Sequence, residues 1–317
     1  MKKKDPIKFS DRIHLIDGFD LGIPGRTGTY VIEEENLTLV ETGPSPSVPR
    51  IVEGLKDLEL DPKDVRYLIL THIHLDHAGG AGLLLKECPE AEVIVHEKGK
   101  RHLANPSRLI EGARAVYGDS FDQLFDPILP IEEEKLIVKE EGDTLEISPD
   151  CTLKFFDTPG HANHHLGIYD PVSNGIFTGD TAGIRYHQTL DYGVTFYLPS
   201  TSPNQFDPEE MKQSIQRFRD LKVDHIYFGH FGKTDEPEAA FNQVVEWIPK
   251  FVEAGEEALV NGNGIEGVKN RLYEKVNAYL RELQIPDDHP VYEVIQLDIE
   301  VCAMGLVDYL RKKERNR

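Results

Sequence analysis

The sequence predicts an α/β fold in which short strands and helices surround a ligand-rich turn, with an all-helical part at the C-terminal end. Three observations carry that expectation. Short apolar, β-branched segments recur at period two over residues 12–40 and again over 136–178, punctuated by glycine, proline and asparagine. The apolar run 65–70 ends directly in Thr71-His72-Ile73-His74-Leu75-Asp76-His77, and Ala78, Gly79 and Gly80 then open a helical pattern. From Glu236 onward, helical periods replace strand periods.

Arg12-Ile13-His14-Leu15-Ile16, Tyr30-Val31-Ile32 and Leu37-Thr38-Leu39-Val40 read as a meander. Gly22, Pro24, Gly25 and Gly28 mark a hairpin connection inside it. They are not a phosphate loop, since no Gly-Lys-Ser/Thr follows and no parallel strand-to-helix context surrounds them. Residues 47–58 have helical period with Val48, Ile51, Val52 and Leu55 on one face, which suits a helix covering the sheet. A strand over 65–70, a helix over 78–88 and a strand over 91–96 come next. Residues 97–130 are too long for a plain connection and hold two helical patterns, so they are expected as an insertion over the site. His102 within them is either a pocket-lining residue or an ordinary solvated histidine.

Residues 136–156 give two or three strands of a second meander, with Glu140-Glu141-Gly142-Asp143 as a turn, and 166–169 and 175–178 give the next strands. Residues 181–206 have few helix formers and carry Tyr186, Tyr192, Phe196 and Tyr197 among prolines and serines. They are expected as a substrate-contacting loop, with Tyr192 and Tyr197 as its candidate residues, against the simpler alternative of loop packing. Asp207 as N-cap, Pro208 at the first position and Glu209 and Glu210 in the first turn start a helix to about Leu221. Residues 223–228 form the last strand. Helical periods then cover 239–253, 264–283 and 291–311, with Ile295, Ile299, Cys302 and Leu306 forming a core face. Residues 312–317 read as a solvated tail.

Composition bounds the function classes. The chain has 317 residues and 39% hydrophobic content, enough for a sizeable core. Asp plus Glu outnumber Lys plus Arg by 56 to 35, for a formal charge of −21, which repels nucleic-acid phosphates and anionic membranes at long range. Nucleic acid and membrane are therefore disfavoured partners, and a small molecule is favoured. Cys88, Cys151 and Cys302 are far apart and suggest neither a disulfide framework nor a thiolate zinc site. The basic start Met1-Lys2-Lys3-Lys4 has no apolar run after it, and a cytoplasmic location is the default expectation.

The chemistry concentrates in His72, His74, Asp76 and His77. Imidazole nitrogens suit zinc, iron, manganese or nickel, and a carboxylate adds a hard, negatively charged oxygen, so this set can hold divalent metal without thiolates. A turn between a strand and a helix is a rigidly supported place for such a site. A histidine-rich surface turn is the alternative, but it gives no reason for so many ligands packed together.

The motif resembles the His-x-His-x-Asp-His signature of the metallo-β-lactamase superfamily. Three further stretches match that family in order: Thr158-Pro159-Gly160-His161, Phe177-Thr178-Gly179-Asp180-Thr181 and Tyr227-Phe228-Gly229-His230-Phe231. The resemblance implies that His72, His74 and His161 hold one ion, that Asp76, His77 and His230 hold a second, and that Asp180 bridges them. It also implies a role for His165, four positions after His161, in orienting a ligand. His164 is left as structural or pocket-lining. Where many members carry Asp-Thr-Gly this chain has Glu41-Thr42-Gly43.

The implied architecture is a four-layer αββα sandwich of two sheets with helices outside, over residues 1–235, followed by a helical extension over 236–317. Two divalent transition-metal ions are expected, zinc ahead of iron or manganese. The implied reaction is hydrolysis of a small ester, thioester or lactone by a metal-bridging hydroxide, with Asp76 both ligating and accepting a proton. The Pro-Gly-His and Thr-Gly-Asp-Thr contexts are similar to the glyoxalase II branch, which also contains persulfide dioxygenases using one iron. That oxidoreductase, a phosphodiesterase and a non-catalytic metal-binding module are the competing readings. Quorum-signal lactonases of the family carry a tyrosine three positions after the bridging aspartate, where this chain has Gly183. The C-terminal helices could pack on the main domain, close the pocket or form a homodimer.

Overall fold

The computed structural model describes residues 5–315, and these separate into two compact units. The first comprises residues 5–157, 164–179 and 223–235; the second comprises 158–163, 180–222 and 236–315. The expected boundary at 235 is therefore only one of several crossings. The loops carrying His161 and Asp180 belong with the C-terminal helices.

Two sheets form the first unit. One runs β1 (Ile7–Lys8), β2 (Ile13–Asp17), β3 (Gly28–Ile32), β4 (Leu37–Val40), β5 (Val65–Ile69), β6 (Glu92–His96) and β7 (Leu136–Lys139), in that spatial order. The strands up to β4 pair antiparallel, and those from β4 to β7 pair parallel. The other sheet uses β8 (Thr144–Ser148), β9 (Cys151–Asp157), β10 (Leu166–Asp170), β11 (Gly175–Gly179), β14 (His225–Phe228) and β15 (Lys233–Thr234), ordered β15-β14-β11-β10-β9-β8. Alternating residues of both sheets meet in one apolar cluster, with Leu15, Tyr30, Val40 and Ile69 from the first and Leu153, Phe155, Ile168 and Phe177 from the second. The rings of Tyr30 and Phe177 meet edge-on at 5.2 Å, and each such fully buried side chain contributes about 1.5–3 kcal/mol relative to exposure.

A second cluster forms on the outer face of the first sheet. It takes Val48, Ile51 and Leu55 from α1 (Val48–Asp57), Ala81 and Leu84 from α3 (Ala81–Leu84) and Leu103 from α4 (Glu97–Ala104). The periodicity of residues 47–58 thus places the helix on the face it predicts. The single expected helix over 78–88 is instead α2 (Leu75–Ala78) followed by α3, because the chain turns at Gly79 and Gly80, where carbonyls of Leu75 and Thr42 approach too closely for side chains.

Two further stretches depart from the sequence expectation. Residues 97–130 are not wholly an insertion: α4 packs on the sheet, where Gly99 lets Ile73 and Val95 approach. Only α5 (Ser107–Tyr117) and α6 (Phe121–Phe125) form the added piece, with its own small core of Leu75, Phe121 and Phe125. The run 136–156 is not one meander either. β7 completes the first sheet, residues 140–143 cross over, and β8 begins the second.

The second unit contains a ribbon of β12 (Ile184–Arg185) and β13 (Tyr197–Leu198) and the helices α7 (Pro208–Asp220), α8 (Pro237–Val260), α9 (Gly264–Glu282) and α10 (Val291–Arg315). Asp207 caps α7 as expected, accepting from the backbone N–H of Glu209 at 2.9 Å and of Glu210 at 3.0 Å. Helix α8 continues through Pro249, and α10 runs on to Arg315, so Lys312 to Arg315 are helical rather than a loose tail. Residues 1–4, 316 and 317 lie outside the described residues. No helix among the described residues is long and apolar enough to cross a membrane.

Candidate metal centre

In the first unit the end of β5 delivers Thr71 and His72. His74 then serves as the residue before α2, its carbonyl accepting from the N–H of His77 at 3.0 Å and of Ala78 at 2.8 Å. That single turn carries Asp76 and His77. It is anchored by Leu75, whose side chain packs with Phe121 and Phe125 of α6. The third candidate ligand, His230, sits in the turn after β14. The Tyr30 hydroxyl fixes this turn, lying 2.7 Å from the carbonyl oxygens of both Phe228 and Gly232.

These elements bring Asp76, His77 and His230 together so that one ligand atom of each lies within 4.8 Å of the others. Asp76 Oδ2 is 3.4 Å from His77 Nε2 and 3.7 Å from His230 Nε2. Ligands bound to one tetrahedral ion at 2.0–2.1 Å stand about 3.4 Å apart, so the spacing fits a shared cation. The mixed imidazole and carboxylate chemistry fits a divalent transition metal. His77 and His230 are almost fully buried, while the Asp76 side chain keeps 24% of its exposure and faces accessible space.

Glu41 organises the same cluster from behind. It is buried, takes a positive φ of 67°, and accepts from the Thr71 hydroxyl and, at 3.3 Å, from the Thr71 N–H. Its other oxygen is 3.6 Å from His77 Nδ1. Since the Thr71 hydroxyl donates to Glu41, it accepts from Nδ1–H of His72 at 3.0 Å, leaving Nε2 of His72 as the lone-pair nitrogen. The longer glutamate at the place of the usual aspartate therefore reaches both histidines, directly or through Thr71. His165, fully buried, stacks on the His72 ring at 5.0 Å. His164 meets His74 edge-on at 5.4 Å. His102 has its ring against Arg101, whose Nε lies 3.2 Å from His102 Nε2; burial first, then Arg101 and Arg108, lowers its pKa.

The second unit brings His161 and Asp180 together, with His161 Nε2 3.7 Å from Asp180 Oδ2 and both residues 2% exposed. Ser200 serves both: its carbonyl accepts from His161 Nδ1–H at 2.9 Å, and its hydroxyl donates to Asp180 Oδ2 at 3.0 Å. A carbonyl on Nδ1 fixes the tautomer that presents Nε2 to a metal. Residues 181–206 are only partly the expected open loop. Tyr186, Phe196 and Tyr197 are buried and pack in the interior of this unit, because the β12–β13 ribbon turns them inward. Tyr192 alone of the four aromatics stays exposed, at 51%, beside His289.

Sequence reasoning missed Ser200 and Asp20. A serine in a serine- and proline-rich stretch carries no sequence signal of a ligand contact. Asp20 lies in the hairpin connection, 98% out of solvent, its Oδ2 3.3 Å from Arg26 Nε. Burial pushes its carboxyl up to about 6; Arg26 opposes this, nearby Asp76 adds to it, and His230 and His77 oppose it. A charged residue within a glycine-rich loop was the available hint.

Comparison with known proteins places these observations. The profile of the metallo-beta-lactamase superfamily matches residues 22–230. A metallo-beta-lactamase fold-containing protein of Sulfurisphaera tokodaii is 29% identical over 224 residues, 69% of this chain and 78% of the relative. The crystal structure of an archaeal metallo-beta-lactamase superfamily protein from Sulfolobus tokodaii superposes with a TM-score of 0.67 at 24% identity, covering 94% of this chain and 98% of that one. An N-acyl homoserine lactonase of Bacillus thuringiensis is 28% identical over 184 residues, 57% of this chain and 62% of the lactonase.

Proposed function

Because the chain belongs to the metallo-β-lactamase superfamily, we propose that it is a metal-dependent hydrolase of a small ester-type substrate, with a thioester as the leading class. The observation that carries this reading is the cluster of Asp76 with the buried His77 and His230, whose ligand spacing suits one divalent cation. By the family pattern, His72 and His74 of the first unit and His161 and Asp180 of the second would be the further metal-binding residues. Zinc is our first choice, ahead of iron and manganese. Bound divalent ions lower the pKa of water and polarise the ester oxygen.

The chain's own residues supply the rest. Glu41, through Thr71, holds His72 in the tautomer that presents Nε2, and its other oxygen stands 3.6 Å from His77 Nδ1. Asp76 is the cluster residue with an exposed carboxylate edge, and it is placed to accept a proton from an attacking water or to pass one to the leaving group. Burial of the remaining ligands keeps competing water from the imidazoles.

A lactonase relative makes lactones a natural second substrate class. Gly183 argues against lactone hydrolysis that uses the family's tyrosine at this position. Its φ is +82°, and a Cβ there would stand 2.4 Å from the Leu198 carbonyl oxygen, so the ribbon has no room for a tyrosine. The test is a panel of thioester, lactone and phosphodiester substrates offered to chelator-stripped and metal-reconstituted protein. The reading expects metal-dependent turnover that is fastest on thioesters. Turnover of a persulfide with one iron, and none of any ester, would replace it with the oxidoreductase alternative.

A further inference from the structure

We infer that the C-terminal helix α10 sets the positions of His161 and Asp180, acting through residues 199–202, so that Gly305 and Thr201 are positioning residues for metal binding. The inference rests on the reading of His161 and Asp180 as metal ligands and concerns the second unit alone. Both residues sit on loops, at 158–163 and directly after β11; α7 holds the first loop beside His161, where the Ser214 hydroxyl donates to the Pro159 carbonyl at 2.7 Å, but that bond does not reach Asp180. One short segment holds both. The Ser200 carbonyl accepts from His161 Nδ1–H, the Ser200 hydroxyl donates to Asp180 Oδ2, and the Ser202 hydroxyl donates to the His161 carbonyl at 2.5 Å.

That segment is irregular too, and α10 is what defines its place. The Thr201 hydroxyl donates to the Cys302 carbonyl at 2.8 Å, and the Cys302 thiol lies 3.8 Å from the Pro199 carbonyl. One turn further along, α10 exposes the bare backbone of Gly305. A Cβ at Gly305 would stand 2.4 Å from the Thr201 carbonyl oxygen and 2.5 Å from that of Ser202. Backbone atoms on both sides leave no flexible side chain to give way. Any side chain at 305 must therefore shift residues 201–202, and with them the groups that hold both ligands. Helix α10 lies beyond residues 22–230, which the family profile matches.

The test measures metal affinity and ligand field without turnover. Wild type, Gly305→Ala, Thr201→Val and the control Gln296→Ala, on an exposed position of α10, are stripped of metal. Each is titrated with cobalt(II) against a chelator, with the d–d absorption recorded and the melting temperature of the metal-free protein measured alongside. The expectation is that Gly305→Ala and Thr201→Val bind cobalt about tenfold or more weakly with an altered d–d spectrum, while Gln296→Ala matches wild type. Thr201→Val keeps the side-chain volume and decides the matter if Gly305→Ala does not fold. Wild-type affinity and spectrum in a folded Thr201→Val would overturn the inference. A wild type that binds no cobalt would instead remove the metal reading beneath it, and the inference with it.

Discussion

At the scale of single residues, the candidate ligands stand out in the sequence because their chemistry is local. His72, His74, Asp76 and His77 crowd one turn, and residue type alone separates them from a solvated face. Ser200 and Asp20 were not readable, because a serine hydroxyl or a loop carboxylate acquires meaning only from neighbours far along the chain. Glu41 lies between these cases: its position was legible, and its reach to Thr71 and His77 was not. Replacing Glu41 with Gln should weaken metal binding about 10–100-fold, read by chelator competition, because the carboxylate that fixes the imidazoles is lost. Affinity equal to wild type would show that Glu41 serves the fold only. The two candidate tyrosines should separate cleanly. Tyr197, 1% exposed, should cost about 3–5 kcal/mol of stability when changed to Ala. Tyr192→Ala should leave the melting temperature within the effect of an ordinary surface change and alter the ranking of ester substrates. An unchanged ranking would remove Tyr192 from the substrate surface.

At the scale of elements, period and capping signals located most strands and helices, α1 and α7 most plainly. What they could not give is pairing. β7 and β8 have similar patterns and a turn between them, yet they lie in different sheets, because the edge of the first sheet was open to β7. The same long-range pairing joins the two sheets through Arg12 and Asp170. The Arg12 guanidinium grips the Asp170 carboxylate at 2.6 and 3.0 Å, with Cys151 Sγ 3.0 Å away. Burial works to raise the Asp170 carboxyl, but Arg12, Ser173 and the Val172 N–H outweigh it and hold the group below its ordinary 3.8. A carboxyl lowered in the folded state adds stability above pH 3.8, and that stability is lost as pH falls through the folded value. Asp170→Asn should therefore cost about 3 kcal/mol near neutrality, and its deficit should shrink as pH drops below 3.8. A deficit independent of pH in melting experiments would contradict the ion-pair account.

At the scale of the whole molecule, the αββα core was expected from four motifs in order, and the family match over residues 22–230 bears it out. That His161 and Asp180 fall in the second compact unit was not legible, since sequence order gives no sign that residues 158–163 and 180–222 join the C-terminal helices. A net charge of −21 gives bound cations a further role, because each offsets self-repulsion near the carboxylates. Metal addition should therefore raise the melting temperature in a concentration-dependent way. Asp180→Ala should blunt that rise and abolish hydrolysis, since it removes the carboxylate proposed to bridge the ions. Hydrolysis near the wild-type rate in that variant would contradict the bridging role. Following thioester hydrolysis while stripped protein is titrated with zinc asks whether the hydrolase works through two ions. A two-ion hydrolase shows no turnover without metal and a rise that levels off at two equivalents per chain; a plateau at one equivalent, or turnover undiminished by stripping, rules it out.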